Sequence, residues 1–216
     1  MPQDHRHDIT KERILNEAEA LFAQKGFHAV SVREITTRAR CNLAAVNYHF
    51  GNKENLYLEV FRSRWVGRAM RIRNFFEKSL AAHGAPSPTA VIQALAQAFL
   101  EGPLSDEERW RHYQLISREL AQPTQAFDVI AGQVMRPFFK ELAGRLRPFM
   151  PEGMDEEHLL LNILSIFSMV LYFNFARAAI TRIMGHEYDQ AYRERLIRHI
   201  IAFSLNGLGV DEKKGV

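Results

Sequence analysis

Asn47, Tyr48 and His49 stand in a row inside CNLAAVNYHFGNK, residues 41–53. A core does not choose three polar-tipped side chains together. The amide of Asn47 can bond an adenine edge at two points, and the donors of Tyr48 and His49 suit phosphate oxygens. Leu43, Ala44 and Ala45 are small or apolar, which lets a backbone approach a duplex, and the Ala45 methyl can touch that of a thymine. Lys53 falls in the first turn of the next helix, where exposed N–H groups already favour anions. Ser31 and Arg33 offer the same chemistry at the start of an earlier helix, and Asn42 stands just ahead of the short one. These types at this spacing point to double-stranded DNA, with Ala45 and Asn47 towards bases and the donors towards phosphates.

Other chemistries lack their residues. No nucleophile elbow, phosphate loop or metal-ligand spacing is present, and the nine histidines are scattered. No enzyme, metal or cofactor is expected. Cys41 is the single cysteine, so the chain holds no internal disulfide.

The elements that must position these residues read as helices. Caps and breakers are dense and strand signals scarce, which predicts an all-α fold of about nine helices. Thr10 caps a first helix through Gln24, closed by Gly26. Ser31 with Glu34 forms a capping box for 32–39, Asn42 caps 43–49, and Asn52 caps a long helix over 53–80. The turn HGAPSPT, 83–89, is the strongest break. Helices then follow over 88–101, over 106–121 behind Ser105 and Glu108, and from 122 to about 149 with a kink or break at Pro137. Asp155 caps 156–184, closed by Gly185, and Asp189 caps 190–206, closed by Gly207. Residues 1–8 and 211–216 are expected to fray.

Two short helices joined by a turn of about three residues form a helix-turn-helix, whose second helix enters the major groove. The expected organisation is a DNA-binding domain over 10–52, a linking helix over 53–80, and a C-terminal domain over 88–208.

Composition allows a sizeable core, with 216 residues and 47% hydrophobic, while a net charge of +3 decides little. Residues 61–80 carry six Lys or Arg against one Glu, a solvated helix face or part of an electrostatic footprint. LLLNILSIFSMVLYFNFARAAI, 159–180, is long enough to span a membrane, but Asn162, Ser165, Ser168, Asn174 and Arg177 interrupt it. Burial between subunits explains it better, so no membrane partner is expected. The opening MPQDHRHDITKER has no apolar signal-peptide core, which fits a cytoplasmic location.

Beyond residue 88 the chain is rich in aromatic residues with polar groups among them. Helical bundles place ligands between facing helices, in mostly apolar sites with a few polar groups. Phe99, Trp110, Tyr113, Gln114, Arg118, Phe139, Tyr172 and Phe175 are therefore the candidate contacts for a mostly hydrophobic effector. For Arg118 and Arg177 a structural pairing is the open alternative.

SVREITTRARCNLAAVNYHFGNKENLYLEVF closely resembles the DNA-binding domain of TetR-family transcription regulators. The match includes an apolar helix ending in LFAQKGF, then SVREI, then YHF followed by GNKENL, and covers roughly residues 10–62. The resemblance implies a homodimeric regulator, more often a repressor, that binds a palindromic operator. It also implies an effector pocket after the linking helix and a dimer made by the last two long helices. Two positions depart from the pattern: Arg40 where the family usually has glycine in the turn, and Asn47 where it often has tyrosine. Two alternatives stay open, a helical DNA-binding regulator without an effector and a helical ligand-binding protein without DNA binding.

Overall fold

The computed structural model describes residues 2–210, with side chains from Asp8 onward. Among the described residues every regular element is helical. The α-helices are α1 Pro2–Lys25, α2 Val32–Arg38, α3 Leu43–Phe50, α4 Lys53–Val60, α5 Val66–Ala81 and α6 Pro88–Leu100. They continue with α7 Asp106–Ala121, α8 Gln125–Ile130, α9 Arg136–Leu146, α10 Glu156–Phe175, α11 Arg177–Met184 and α12 Gln190–Leu208.

These helices group into two compact units. One holds the chain up to Ala69 together with Leu104–Val134, and the other holds Met70–Pro103 and the chain from Met135 onward.

In the first unit, Ile14, Ala18, Leu21 and Phe22 form the apolar stripe of α1, all at most 1% exposed. Ile35 and Ala39, then Val46 and Phe50, bring α2 and α3 against it. Leu56, Val60, Phe61 and Trp65 complete the core, and Phe22 meets Tyr57 edge-to-face at 4.9 Å. α7 packs on α1, and α8 packs on α4.

The basic block of 61–80 is solvated only in part: Arg62, Arg71 and Lys78 are exposed, and several of its arginines are drawn onto partners. In the first unit Arg68 pairs with the buried Glu19, and Arg64 with Glu12 and Asn16. In the second, Arg71 donates to the Pro103 carbonyl at 2.8 Å and Arg73 to Glu141 at 2.6 Å. A guanidinium on a long stem reaches partners that helical spacing alone does not reveal.

The second unit is built on α6. Ser87 caps it, Pro88 opens its first turn, and Ala90, Val91, Ala94, Leu95 and Ala98 are buried against its neighbours α9, α10 and α12. The alanines let helix axes come close. Gly102 ends this stretch because a Cβ there would lie 1.9 Å from the Ala98 carbonyl oxygen.

Several boundaries differ from the sequence reading. α1 starts at Pro2, so Thr10 lies inside it rather than capping it. Proline suits a first turn, since its missing N–H is not needed there. Residues 2–8, expected to fray, are helical. The expectations for residues 1 and 211–216 lie outside the described residues.

The run from Lys53 to Ala81 is unbroken but contains a π turn, Phe61–Trp65. A second π turn, Ala131–Met135, precedes Pro137. The wider turn accommodates the N–H that proline lacks, so the expected kink takes that form.

The expected helix 156–184 is interrupted at Ala176, where ψ is 18°. The corner is fixed by Arg177, which donates to buried Asn174 at 2.9 Å and lies 4.6 Å above the Tyr188 ring. Tyr188 in turn donates to the Phe173 carbonyl at 3.1 Å. α12 runs past Gly207 to Leu208, which is 1% exposed, and Gly209 at φ 68° is the cap instead. Burying Leu208 carries the helix one step further before the left-handed residue.

Candidate nucleic-acid interface

α2 begins at Ser31, whose hydroxyl accepts from the Glu34 N–H at 3.1 Å. The expected box is only half present, because the Glu34 carboxylate pairs with Lys25. Ser31 and Arg33 are both exposed at this end.

The turn after α2 is a Schellman motif. The Cys41 N–H bonds the Thr36 carbonyl at 3.0 Å and the Arg40 N–H bonds the Thr37 carbonyl at 3.2 Å. Arg40 is the C′ residue, at φ 51°, the one described non-glycine residue with positive φ. The family's usual glycine is thus replaced without reshaping the turn, at a cost on the order of 1 kcal/mol. The half-buried Cys41 thiol is pushed up by burial, with Arg13 opposing.

Asn42 caps α3, its side-chain oxygen accepting from the Ala45 N–H at 3.0 Å. Val46 and Phe50 point into the core, which fixes the rotation of this short helix. Its outer face then consists of Leu43, Ala44, Asn47 and Tyr48, all exposed, with Tyr48 at 73%. Ala45 and His49 lie half-buried on the shoulders. The Tyr48 ring meets His49 edge-on at 5.0 Å and 81°. Leu43, expected with the two alanines to let the backbone approach a duplex, is 55% exposed at the front of this face.

Gly51, at φ 80°, separates α3 from α4, and Asn52 caps α4 by accepting from the Asn55 N–H at 2.7 Å. Lys53 lies half-buried with its ammonium 4.4 Å from the Phe27 ring centroid. Partial burial lowers the Lys53 pKa, with Glu54 opposing. The nine expected DNA residues therefore fall on α3 and on the helix starts on either side of it.

The expected effector residues do not come together as one group. Phe99 and Phe139 belong to the second unit, where both pack edge-to-face on Phe167, at 5.3 and 5.1 Å. Tyr172 and Phe175 are also in that unit, with Tyr172 57% exposed. Trp110, Tyr113, Gln114 and Arg118 belong to the first. Trp110 is 54% exposed. Arg118 donates to the carbonyls of Ala23 at 3.1 Å and Gln24 at 2.7 Å, so it caps the C-terminus of α1. Gly26 makes room for it, since a Cβ there would sit 2.9 Å from its Nη1. This partnership joins residues 95 apart, and no local pattern announces it.

A groove of about 70 Å³ lies between α10 and α12, lined by Asn162, Ser165, Ile166, Met169, Phe203, Ser204, Gly207 and Leu208. None of these is an expected effector contact. α10 is the one helix among the described residues long and apolar enough to cross a membrane.

Comparison with known proteins bears on both units. Residues 14–60 match the family described as bacterial regulatory proteins, tetR family. Residues 88–208 match the C-terminal domain of the HTH-type transcriptional dual regulator CecR. The CecR of Shigella flexneri is 25% identical over 174 residues, covering 79% of this chain and 78% of that protein. QacR of Staphylococcus aureus, an HTH-type transcriptional regulator, is 36% identical over 58 residues, 26% of this chain and 31% of its own length. In fold, the chain is similar to HlyIIR, a hemolysin II transcriptional regulator, with TM-score 0.62 and 23% identity over 91% of this chain and 97% of that one. A transcriptional regulator from Rhodococcus sp. Rha1 gives TM-score 0.62 at 19% identity, over 93% and 98% of the two chains.

Proposed function

The chain belongs to the TetR family of bacterial regulatory proteins, and from that premise we propose that it is a homodimeric repressor released from a palindromic operator by a mostly hydrophobic small molecule. That it is a DNA-binding transcriptional regulator rather than an enzyme follows from the family itself. The observation that carries the operator reading is the outer face of α3. Two buried anchors, Val46 and Phe50, turn Leu43, Ala44, Asn47 and Tyr48 outward together. Asn47 reads bases from the centre of that face, Ala44 and Ala45 lie close to the duplex, and Ser31, Arg33, Asn42, Tyr48, His49 and Lys53 fix its position on phosphates. A cytoplasmic location goes with this reading.

Two observations support the dimer. α10 is mostly apolar after its first turn, yet only 28% of its most apolar stretch is buried within the chain. Leu161 on α10 and Phe203 on α12 are 55% and 63% exposed. A second copy packed on α10 and α12 covers this surface and holds two α3 helices about one helical turn of DNA apart, roughly 34–36 Å. The aromatic cluster of Phe99, Phe139 and Phe167 supports an apolar effector in the second unit. An effector that favours a conformer with the wrong α3 spacing weakens operator binding by its difference in affinity for the two states.

Footprinting on the DNA flanking the protein's own gene, repeated at several salt concentrations, tests the reading. A protected palindrome is expected, and its loss on adding an apolar ligand identifies the effector class. Absence of protection at every salt concentration would refute operator binding there.

A further inference from the structure

Arg40 sits where the Schellman turn after α2 is best served by glycine, which has no Cβ to clash at φ 51°. The fold gives up stability to keep a side chain at this position. That side chain is exposed and has no hydrogen bond or ion pair among the described residues. Two nearby cations differ: Lys25 is held by Glu34, and Arg38 by Glu17 at 2.8 Å. Nor is the guanidinium needed to close α2, because the backbone N–H groups of Arg40 and Cys41 already bond the Thr37 and Thr36 carbonyls. Arg40 stands two residues before the Asn42 cap, at the end of α3 from which Leu43 and Ala44 face outward. A guanidinium on a long stem binds phosphate oxygens two at a time.

We propose that Arg40 is a phosphate-contact residue of the DNA interface, and that the left-handed backbone is tolerated for that contact. Strained positions persist where function uses them. The proposal rests on the reading of α3 as the groove helix. It adds a sequence-neutral contact at a position where the family usually has no side chain.

The test compares the full-length protein with Arg40→Gly and Arg40→Lys. A phosphate contact is blind to sequence, so the probe is a fluorescein-labelled random-sequence duplex long enough for two half-sites. Anisotropy is followed across a salt series, beside thermal unfolding without DNA. Arg40→Gly is expected to raise the unfolding midpoint by about 2–4 °C. The same change is expected to flatten the log–log salt dependence by about one unit for each subunit bound. Arg40→Lys keeps charge and strain together, so it should follow the wild type in both. A more stable Arg40→Gly with an unchanged salt slope would overturn the contact. An unchanged midpoint would overturn the strain on which it stands. If the wild type binds no duplex at any salt concentration, the regulator reading itself fails, and the contact goes with it.

Discussion

Tyr57 on α4 donates its hydroxyl hydrogen to Glu119 on α7 at 2.7 Å, across 62 residues of chain. Glu119 is 1% exposed, and its carboxylate also accepts from the Thr124 N–H at 2.9 Å and from the Thr124 hydroxyl. Burial, then the bond to Glu119, pushes the Tyr57 phenol far above its ordinary range. One buried carboxylate therefore ties α4, which follows α3, to the start of α8.

Removing either partner separates two costs. Tyr57→Phe keeps the ring against Phe22 and leaves Glu119 with Thr124, so the expected loss is about 1–2 kcal/mol by urea unfolding. Glu119→Ala strands the Tyr57 hydroxyl and the Thr124 N–H, and should cost about 3 kcal/mol or more. A double-mutant cycle in which the two losses simply add would show that the bond carries no coupling.

Asn47 and Lys53 should fail differently. Asn47→Ala is expected to relax preference at one base pair by about 1–3 kcal/mol while leaving random-sequence binding intact. Lys53→Ala should weaken all duplexes alike and lower the salt slope by about one per subunit. Competition binding between operator and random duplex reads both. Matching profiles for the two variants would dissolve the division into reader and anchor.

His112 gives the chain a pH dependence. Its ring stacks on Trp65 at 4.4 Å and 7°, and its carbonyl accepts from the Trp65 indole N–H at 3.1 Å. Burial, then the charge of Arg68, lowers its pKa from 6.5 to about 3. Between these values the unfolded chain takes up a proton that the folded chain refuses. Stability contributed by this group is therefore full above about pH 6.5 and falls on acidification by on the order of 1 kcal/mol per pH unit. His112→Phe keeps the stacking and loses the titration. Its unfolding free energy should fall less steeply with acid than the wild type's, and parallel curves would show that His112 is not the source.

Leu161 and Phe203 test the dimer. A charge at either position adds an unpaired ion to the surface that the proposed second copy would cover. Leu161→Arg and Phe203→Glu should therefore sediment as monomers and lose operator affinity, while circular dichroism stays helical. A monomeric wild type at the same concentration would instead remove the basis for two half-sites.

The sequence by itself determined the parts set by near neighbours. Caps three residues ahead of the N–H groups that donate to them at Ser31, Asn42, Asn52, Ser105, Asp155 and Asp189 hold in the structure, because a side chain bonding its own helix start needs nothing distant. The same locality made the helix-turn-helix legible from two short capped helices and the turn between them, while the resemblance to the family marked Arg40 as a side chain in a turn that usually holds glycine.

What only the tertiary structure decided lies between residues far apart in the chain. Arg118 reads equally well as a ligand contact or a structural pair until the α1 carbonyls of Ala23 and Gln24 are seen to accept from it. Arg64, Arg68 and Arg73 read as part of a solvated face until Glu12, Glu19 and Glu141 arrive from other helices. The effector candidates read in sequence as aromatic residues with a few polar groups among them, but packing divides them between two units. Helical periodicity tells which side of a helix is apolar. It does not tell which distant helix covers that side, because that choice depends on how whole surfaces fit together.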